Sequence, residues 1–353
     1  MKIIRTATVV LGILALGTTM IQAEVSFVWA RVGDINNAPD PRNTADVADI
    51  GSVSYVYDIA STAVTLNQYT EFLNAVAKTD SYGLYNTYMA TNLNVAGIAR
   101  VGENGSYTYT VIGSGLRPVT YVSWFDAARF ANWMANGQRT GLQDGTTTEN
   151  GAYSLWGANS GVKFKKNAIN PNTSAATTYW IPSENEWYKA AYYEVVEDPE
   201  TGEQVGKYWL YPTRSDTTPG NLIGDAANQA NHRPYDGVYS VTQSRSYSES
   251  QNYLSDVGAF TNSESYYGTY DQGGNVWEWN DATSDGVYRG LRGGSWYDTE
   301  FLMESHNREF SMMELYNIGF RVAGSVVPEP STAGLMLLGG AVYWLGRRRK
   351  VAL

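Results

Sequence analysis

One short segment near the C-terminal end, Gly273 to Trp279, most constrains how this chain can fold. It opens on paired glycines and ends with one glutamate between two tryptophans. Segment 289–296 follows with the sequence Arg-Gly-Leu-Arg-Gly-Gly-Ser-Trp, and segment 319–321 reads Gly-Phe-Arg. Large rings that alternate with a charged residue next to glycines are typical of a buried turn, in which the rings fill the core. The tryptophans expected in the core are Trp277, Trp279 and Trp296, and exposed rings are the alternative.

The composition limits the chemistry more than it limits the fold. The chain has 353 residues with 43% hydrophobic residues, which is enough for one large domain or two modest ones. It contains no cysteine, which excludes disulfides, thiolate zinc sites and cysteine nucleophiles. The absence of cysteine does not exclude export.

Both ends of the chain have the pattern of processing signals. Lys2 and Arg5 precede an apolar run and small residues up to Ala23, which predicts a signal peptide over residues 1–23. Residues 325–353 contain Pro-Glu-Pro, an apolar stretch and a basic cluster. This order resembles the PEP-CTERM sorting signal of Gram-negative bacteria, which implies an exosortase-type peptidase as partner. An ordinary C-terminal membrane anchor is the alternative.

These signals predict an exported protein. It would be held transiently at the inner membrane and then reach the cell envelope, the outer surface or the extracellular matrix. Without the six basic residues of the two ends, 19 basic and 35 acidic residues remain, a net charge of −16. Such a surface disfavours nucleic acid as a partner and could attract cations.

Residues between the two signals predict an α+β fold. Residues 24–52 are expected to form an N-terminal strand and loop, and residues 53–59 alternate as a strand does. Three helices are predicted from capping boxes, in which a hydroxyl and the side chain three residues later satisfy free backbone N–H groups. The boxes begin at Thr65, Ser123 and Ser183. Long stretches rich in Gly, Asn, Thr and Ser separate these elements, which argues against a doubly wound sheet.

The order of these segments resembles the formylglycine-generating-enzyme (sulfatase-modifying factor) family, which has a variant of the C-type lectin fold. The resemblance covers residues 53–324. It includes the three helix starts, the tryptophan–glutamate turn, Arg-Gly-Gly-Ser-Trp and Gly-Phe-Arg. It implies short strands, about three helices and much irregular structure.

The resemblance does not extend to the family's chemistry. Oxidising members bind copper through two cysteines, whose positions match Glu300 and Ser305 here, and neither side chain can replace a thiolate for Cu(I). Related oxygenases bind iron through histidines on an additional domain, whereas this chain has only His232 and His306. Glu184/Glu186 and Glu278/Asp281 are candidate acid–base pairs, but a structural role explains them better, since Glu186 fits a helix cap and Glu278 fits the turn.

A calcium ion is the cofactor that the resemblance implies. In the family the turn wraps calcium, and the matching ligands are the side chains of Asp271 and Glu278 with the carbonyls of Gly274 and Val276. Hard oxygen ligands of this kind suit Ca²⁺. The alternative is that Glu278 hydrogen-bonds backbone groups. A second, weaker family site matches the side chains of Asn228 and Asp236 and the carbonyls of Gln229 and Val238.

Lectin-fold members present ligand-contacting side chains after the Arg-Gly-Gly-Ser-Trp segment. The residues expected on such a surface are Tyr297, His306, Asn307, Tyr316 and Asn317. Tyr and Asn suit the recognition of sugars or peptides, and an ordinary loop surface is the alternative. We therefore expect a non-catalytic binding or structural protein, with exopolysaccharide or a surface protein as candidate partner. The alternatives are a matrix protein without a small ligand, and an oxidoreductase-like enzyme of the superfamily with altered chemistry.

Overall fold

The computed structural model describes residues 24–42 and 49–325. The predicted signal peptide and the predicted sorting signal lie outside the described residues, apart from the first residue of the latter. Within the described ranges, no helix is both long and apolar enough to cross a membrane.

The first sheet joins the two ends of the described chain. Its strand order is β1-β2-β12-β5, and all pairs are antiparallel. Strand β12, the last strand of the described chain, therefore lies inside the sheet, between β2 and β5. The strands are β1 (Trp29–Val32), β2 (Tyr57–Ala60), β5 (Tyr179–Trp180) and β12 (Ala323–Gly324).

The second sheet contains the tryptophan–glutamate segment. Its order is β10-β9-β8-β11, and β11 is parallel to β8. The register of β8 against β9 shifts between Trp279 and Thr283, which marks a β-bulge. The strands are β8 (Trp277–Ser284), β9 (Tyr288–Arg292), β10 (Glu309–Ser311) and β11 (Ile318–Gly319).

The helices begin where the capping boxes predict. In each box the hydroxyl accepts from the backbone N–H three residues on, and that residue's side chain bonds back to the cap. A fourth helix of one turn was not predicted, because four residues are too few to show a helical period. The helices are α1 (Leu66–Val76), α2 (Tyr88–Thr91), α3 (Trp124–Ala135) and α4 (Glu184–Tyr192).

Two hairpins complete the regular structure. Strand β6 follows directly on α4, so the chain turns from helix to hairpin without a loop. The strands are β3 (Ile98–Val101), β4 (Thr108–Val111), β6 (Tyr193–Glu197) and β7 (Gln204–Tyr208). The predicted α+β class is confirmed. The strand predicted over 53–59 was placed too early, because residues 53–56 bend and pairing with β1 begins at Tyr57.

Aromatic rings fill the core between α1, α3 and the first sheet. The ring of Phe130 meets those of Phe72 and Phe320 edge to face at 5.3 and 5.4 Å, a favourable geometry for aromatic pairs. Trp277, Trp279 and Trp296 are at most 5% exposed. The prediction that these three rings pack inside the protein is confirmed.

Candidate functional site

The carboxylate of Glu278 is held by an arginine from the Gly-Phe-Arg segment. Arg321 Nε lies 2.5 Å from Glu278 Oε2, and Arg321 Nη2 lies 2.7 Å from Oε1. The indole N–H of Trp187, on α4, donates to the same Oε2 at 2.7 Å. All three residues are fully buried. The alternative in which Glu278 bonds backbone groups is wrong, because within the described residues its carboxylate bonds to the side chains of Arg321 and Trp187.

Arg321 extends this contact to the first sheet. Its Nη1 donates to the carbonyls of Ala60 and Ser61 at 3.0 and 3.2 Å, and its Nη2 donates to the carbonyl of Tyr270 at 2.9 Å. One guanidinium thus joins the end of β2, the tryptophan–glutamate turn and the C-terminal segment. A buried charge with this many partners is costly to disturb.

The remaining predicted calcium ligands lie on the turn before β8. Asp271 is half-buried, with a positive φ of 56°, and its Oδ2 accepts from the N–H of Gly258 at 2.6 Å. Burial raises the pKa of Asp271 to about 6. Gly274 has a φ of 78°, and a Cβ there would lie 2.2 Å from the carbonyl oxygen of Asn231. The turn therefore requires glycine at this position.

The donor set fits calcium in part. Asp271 supplies a carboxylate whose pKa burial raises, although Arg321 offsets this in part, and a bound dication would compensate its charge further. Glu278 fits less well, because the guanidinium of Arg321 already binds both of its oxygens. Among the residues described, no three His, Cys, Asp or Glu side chains are grouped to hold a metal ion. Backbone carbonyls would have to complete the set.

The residues of the second predicted calcium set have other partners. The carbonyl of Val238 accepts from the amide of Asn221 at 2.8 Å, and the carboxylate of Asp236 accepts from the N–H of Val238 at 3.1 Å. The side chains of Asn228 and Gln229 bond to neighbouring loop segments. This set stays a prediction.

A large cleft lies beside the Arg-Gly-Gly-Ser-Trp segment and contains two of the five predicted surface residues. Its volume is about 1320 Å³, which is large enough for an extended ligand. Three distant chain segments, 91–94, 233–250 and 296–316, form its walls. We call it the aromatic cleft. Its aromatic and basic lining residues are Arg233, Tyr239, Arg245, Tyr247, Trp296, Tyr297 and Tyr316.

A ladder of parallel rings supports this cleft. Tyr247 stacks on Tyr253 at 5.7 Å and 8°, and Tyr253 stacks on Trp296 at 4.8 Å and 6°. Tyr297 and Tyr316 meet at the edge of the ladder, 6.2 Å apart and nearly perpendicular. Burial raises the pKa of Tyr316 to about 12, so its hydroxyl is a neutral donor at pH 7. Tyr247 and Tyr297 are 50% and 39% exposed, so the cleft offers the faces of these two rings beside hydroxyl groups.

Two nitrogen donors of the aromatic cleft lack protein acceptors. The indole N–H of Trp296 is buried without a partner in the described part of the chain, and so is the Nε of Arg233. The guanidinium of Arg233 lies 5.0 Å from the ring centre of Tyr297. Buried donors are normally paired, so these two point to a polar ligand or ordered water.

The other three predicted surface residues do not line this cleft. His306 pairs with Glu304, with His306 Nε2 3.1 Å from Glu304 Oε2. The carbonyl of Asn307 accepts from Arg292 at 2.9 Å. The carbonyl of Asn317 accepts from the N–H of Trp277 at 2.8 Å. The polar atoms of these residues hold loops together.

Glu300 and Ser305, which match the family's copper ligands, provide no soft ligand for Cu(I). Glu300 begins a 3-10 turn, Glu300–Met303, and is half-buried. Ser305 is buried, and its carbonyl accepts from Arg292 Nη1 at 2.7 Å. A carboxylate and a hydroxyl are hard donors, so they cannot replace the two thiolates that hold Cu(I).

A second cleft of about 650 Å³ shares Tyr316 with the first and was not predicted from the sequence. Its floor holds Asp126, which is 3% exposed and accepts from the N–H and hydroxyl of Ser123 at 2.8 and 2.7 Å. Burial and then the neighbouring Glu314 raise the pKa of Asp126 to about 7. Glu314 in turn accepts from the amide of Asn86 at 2.6 Å.

Arg233, Tyr239 and Tyr247 were not predicted as parts of the aromatic cleft. They lie in residues 212–265, where few regular elements are present and no periodic pattern helps. A usable signal was the grouping of four tyrosines within residues 235–253, which includes Tyr235 and Tyr253 as well.

Comparison with solved structures gives neighbours of low identity. A structure titled "Crystal Structure of CarF" is 20% identical, covers 86% of this chain and 99% of its own, and has a TM-score of 0.45. Treponema denticola variable protein 1 is 17% identical, with coverages of 86% and 96% and a TM-score of 0.44. PvdO from Pseudomonas aeruginosa is 16% identical, with coverages of 84% and 94% and a TM-score of 0.43.

No curated protein sequence matches the chain. The sequence does match one protein family over most of its length. Residues 26–326 match the Sulfatase-modifying factor enzyme 1-like domain, which covers the tryptophan–glutamate turn, both clefts and the Gly-Phe-Arg segment. The resemblance seen in the sequence is therefore confirmed, and the chain belongs to the sulfatase-modifying factor (formylglycine-generating enzyme) family.

Proposed function

We propose that this protein is a non-catalytic binding module of the cell envelope or extracellular matrix, and that the aromatic cleft binds a surface glycan such as exopolysaccharide. The observation that carries the proposal is the ring ladder ending on Trp296, whose buried indole N–H has no described protein acceptor. Pyranose rings pack their apolar faces on flat aromatic rings, and their hydroxyl oxygens accept from N–H donors.

The absence of copper chemistry supports a binding role over the oxidoreductase alternative. The family's two thiolate positions match Glu300 and Ser305 in this chain, and the chain has no cysteine. Localisation rests on the sequence patterns at residues 1–23 and 325–353, with an exosortase-type peptidase as the processing partner. The acidic charge of the remaining chain suits a soluble exposed domain.

Calcium is part of the proposal as a structural ion. Asp271 and the carbonyls of Gly274 and Val276 would supply oxygen ligands, and Glu278 would share its carboxylate between the ion and Arg321. The half-buried Asp271 supports this assignment, since a nearby cation would lower its raised pKa. Metal analysis tests it separately from ligand binding.

Binding to a glycan array tests the main proposal. We expect the purified protein to bind a subset of bacterial oligosaccharides, and Trp296→Phe to weaken that binding about tenfold, because an aromatic ring remains while the indole N–H is lost together with the five-membered ring that carries it. Tyr247→Ala should weaken it as well by shortening the ladder. Tyr235→Ala is the matched control, since Tyr235 is 90% exposed and outside the cleft lining.

Two outcomes would contradict the proposal. One is equal glycan binding by the Trp296→Phe, Tyr247→Ala and Tyr235→Ala proteins, which would place the ligand elsewhere. The other is turnover of a substrate at ordinary enzyme rates, which would favour the enzyme alternative.

A further inference from the structure

A smaller cavity on another part of the surface concentrates positive charge. Its volume is about 370 Å³, within the range of small-molecule sites. It lies between the β8–β9 hairpin, the start of α4 and the loop around residue 165. We call it the basic cavity. The lining residues that matter here are Tyr55, Lys165, Lys166, Glu186, Asp281 and Arg289.

Arg289 is the buried cation of this cavity. It is 3% exposed, and its guanidinium carbon lies 3.6 Å from the ring centre of Trp124. Its Nη2 donates to the carbonyl of Gly161 at 3.2 Å, while its Nε has no acceptor within the described residues. Burial lowers the pKa of Arg289 to about 10, and Tyr153 and Asp281 offset this only in part. An incompletely compensated buried charge indicates a missing anionic partner.

A second cation stands at the opening of the cavity. The Nζ of Lys166 lies 3.6 Å from the ring centre of Trp180, and the side chain is otherwise exposed. Lys166 thus lies on the face of Trp180, which lines the cavity, and Arg289 lies on the face of Trp124 behind it. Cation–π contacts fix the position of a cation without neutralising it, so both charges remain available to a ligand.

The two carboxylates of the cavity differ in availability. Glu186 accepts from the hydroxyl of Tyr55 at 2.8 Å, from the indole of Trp180 at 3.0 Å and from the N–H of Ser183 at 2.7 Å. Asp281 accepts from the N–H of Glu184 through Oδ1 at 3.0 Å. Glu186 is therefore committed to the fold, while Asp281 keeps capacity for a hydroxyl donor.

The β-bulge explains how these groups come together. Between the pairs Trp279↔Leu291 and Thr283↔Arg289, three residues of β8 face a single residue of β9. Asp281 lies at the centre of this bulge, and Arg289 borders it. Bulges redirect side chains and are frequent next to functional sites.

The net charge of the side chains that line the basic cavity indicates which class of ligand it can bind. Arg289, Lys165 and Lys166 oppose Glu186 and Asp281 in the lining, which leaves one net positive charge. A monoanion would neutralise it, whereas a dianion would leave one net negative charge beside the two carboxylates. Aromatic walls, which include Tyr55 and Trp180, suit a ring or carbon skeleton.

We propose that the basic cavity binds a small hydroxylated carboxylate of the sugar-acid type. Its carboxylate lies between Arg289 and Lys166, and one of its hydroxyls donates to Asp281. This site is separate from the aromatic cleft, so it does not depend on the glycan proposal.

Isothermal titration calorimetry with sodium glucuronate tests this site. We expect one molecule bound per chain, no heat with glucose, which has the same ring without the charge, and weaker binding of sulfate. Arg289→Met keeps the packing on Trp124 and removes the charge, and it should weaken binding about tenfold or more. Lys166→Met, at an exposed position, should also weaken it. Arg245→Met, which removes an arginine from the aromatic cleft, is the matched control.

Thermal melting separates a lost ligand contact from a lost fold. Arg289→Met should melt no lower than the unchanged protein, because it removes a buried charge that lacks an ion pair. The proposal is overturned if glucuronate does not bind, if sulfate binds as tightly, or if the Lys166→Met and Arg245→Met proteins bind glucuronate equally well.

Discussion

Glu278 and Arg321 form a buried two-point ion pair, with Arg321 Nε 2.5 Å from Glu278 Oε2 and Nη2 2.7 Å from Oε1. The residues lie 43 positions apart in the sequence and join the tryptophan–glutamate turn to the Gly-Phe-Arg segment. Removing one partner of such a pair leaves the other charge buried and unpaired. The pair therefore ties the stability of the fold to two short motifs.

Glu278→Gln should lower the free energy of unfolding by about 3–5 kcal/mol, because Arg321 would keep its buried charge without a counter-charge. Urea unfolding followed by tryptophan fluorescence measures this. The control is Asp216→Asn, which breaks the exposed pair with Lys207 and should cost at most about 1 kcal/mol. Equal losses in the two variants would contradict the role assigned to Glu278.

Calcium removal should lower the melting temperature without unfolding the protein at 25 °C. The Glu278–Arg321 pair persists after chelation, whereas Asp271 loses the cation that compensates its half-buried carboxylate. Mass spectrometry of the purified protein should show calcium near one per chain, and Asp271→Asn should abolish the chelation effect. A protein with no calcium and no response to chelation would remove the ion from the proposal.

Stability should fall as the pH rises from about 4 to about 7. The folded pKa of Asp126 is raised from 3.8 to about 7 by burial and by Glu314, so folding favours the protonated acid. Asp126 therefore stabilises the fold fully at a pH below its pKa in the unfolded chain. This contribution is lost as the pH rises through its pKa in the folded protein. Asp126→Asn keeps an acceptor for Ser123 and should flatten this part of the pH profile. An unchanged profile would contradict the assignment.

Gly274→Ala should destabilise the fold by more than about 1 kcal/mol, because the residue combines a positive φ with a close backbone contact. The added Cβ would lie 2.2 Å from the carbonyl oxygen of Asn231. Gly286→Ala is the matched control, since Gly286 has a φ of 75° and no atom within 4 Å of the added Cβ. Chemical denaturation compares the two variants. A similar loss in both would show that φ alone, not the contact, decides the effect.

Local features of the fold were predictable from the sequence. Thr65, Ser123 and Ser183 precede helices because a capping box needs only residues three positions apart. The family resemblance added the order of the C-terminal motifs, and the match over residues 26–326 confirms it. The burial of Trp277 and Trp279 follows from the same local pattern.

Long-range partners were not predictable in this way. The sequence marks Glu278 as unusual, but nothing near it names Arg321 as its partner. The aromatic cleft combines Asn92, Arg233, Tyr247 and Trp296 from three distant segments, and no spacing rule links them. Arg289 begins one of the C-terminal motifs, but nothing in the sequence marks it as a binding residue, because its missing partner becomes visible only when burial and acceptors are known.

The inner position of β12 has a consequence for how the protein reaches its native state. Ala323 pairs with Ile59 on one side and Trp180 on the other, so the first sheet cannot close until the last described strand has been made. Pairings between residues this far apart make folding slow. A chain that emerges from a ribosome or a translocation channel with its N-terminus first stays incompletely folded until residue 324 is released. That delay would keep it in the unfolded form that narrow secretion channels accept.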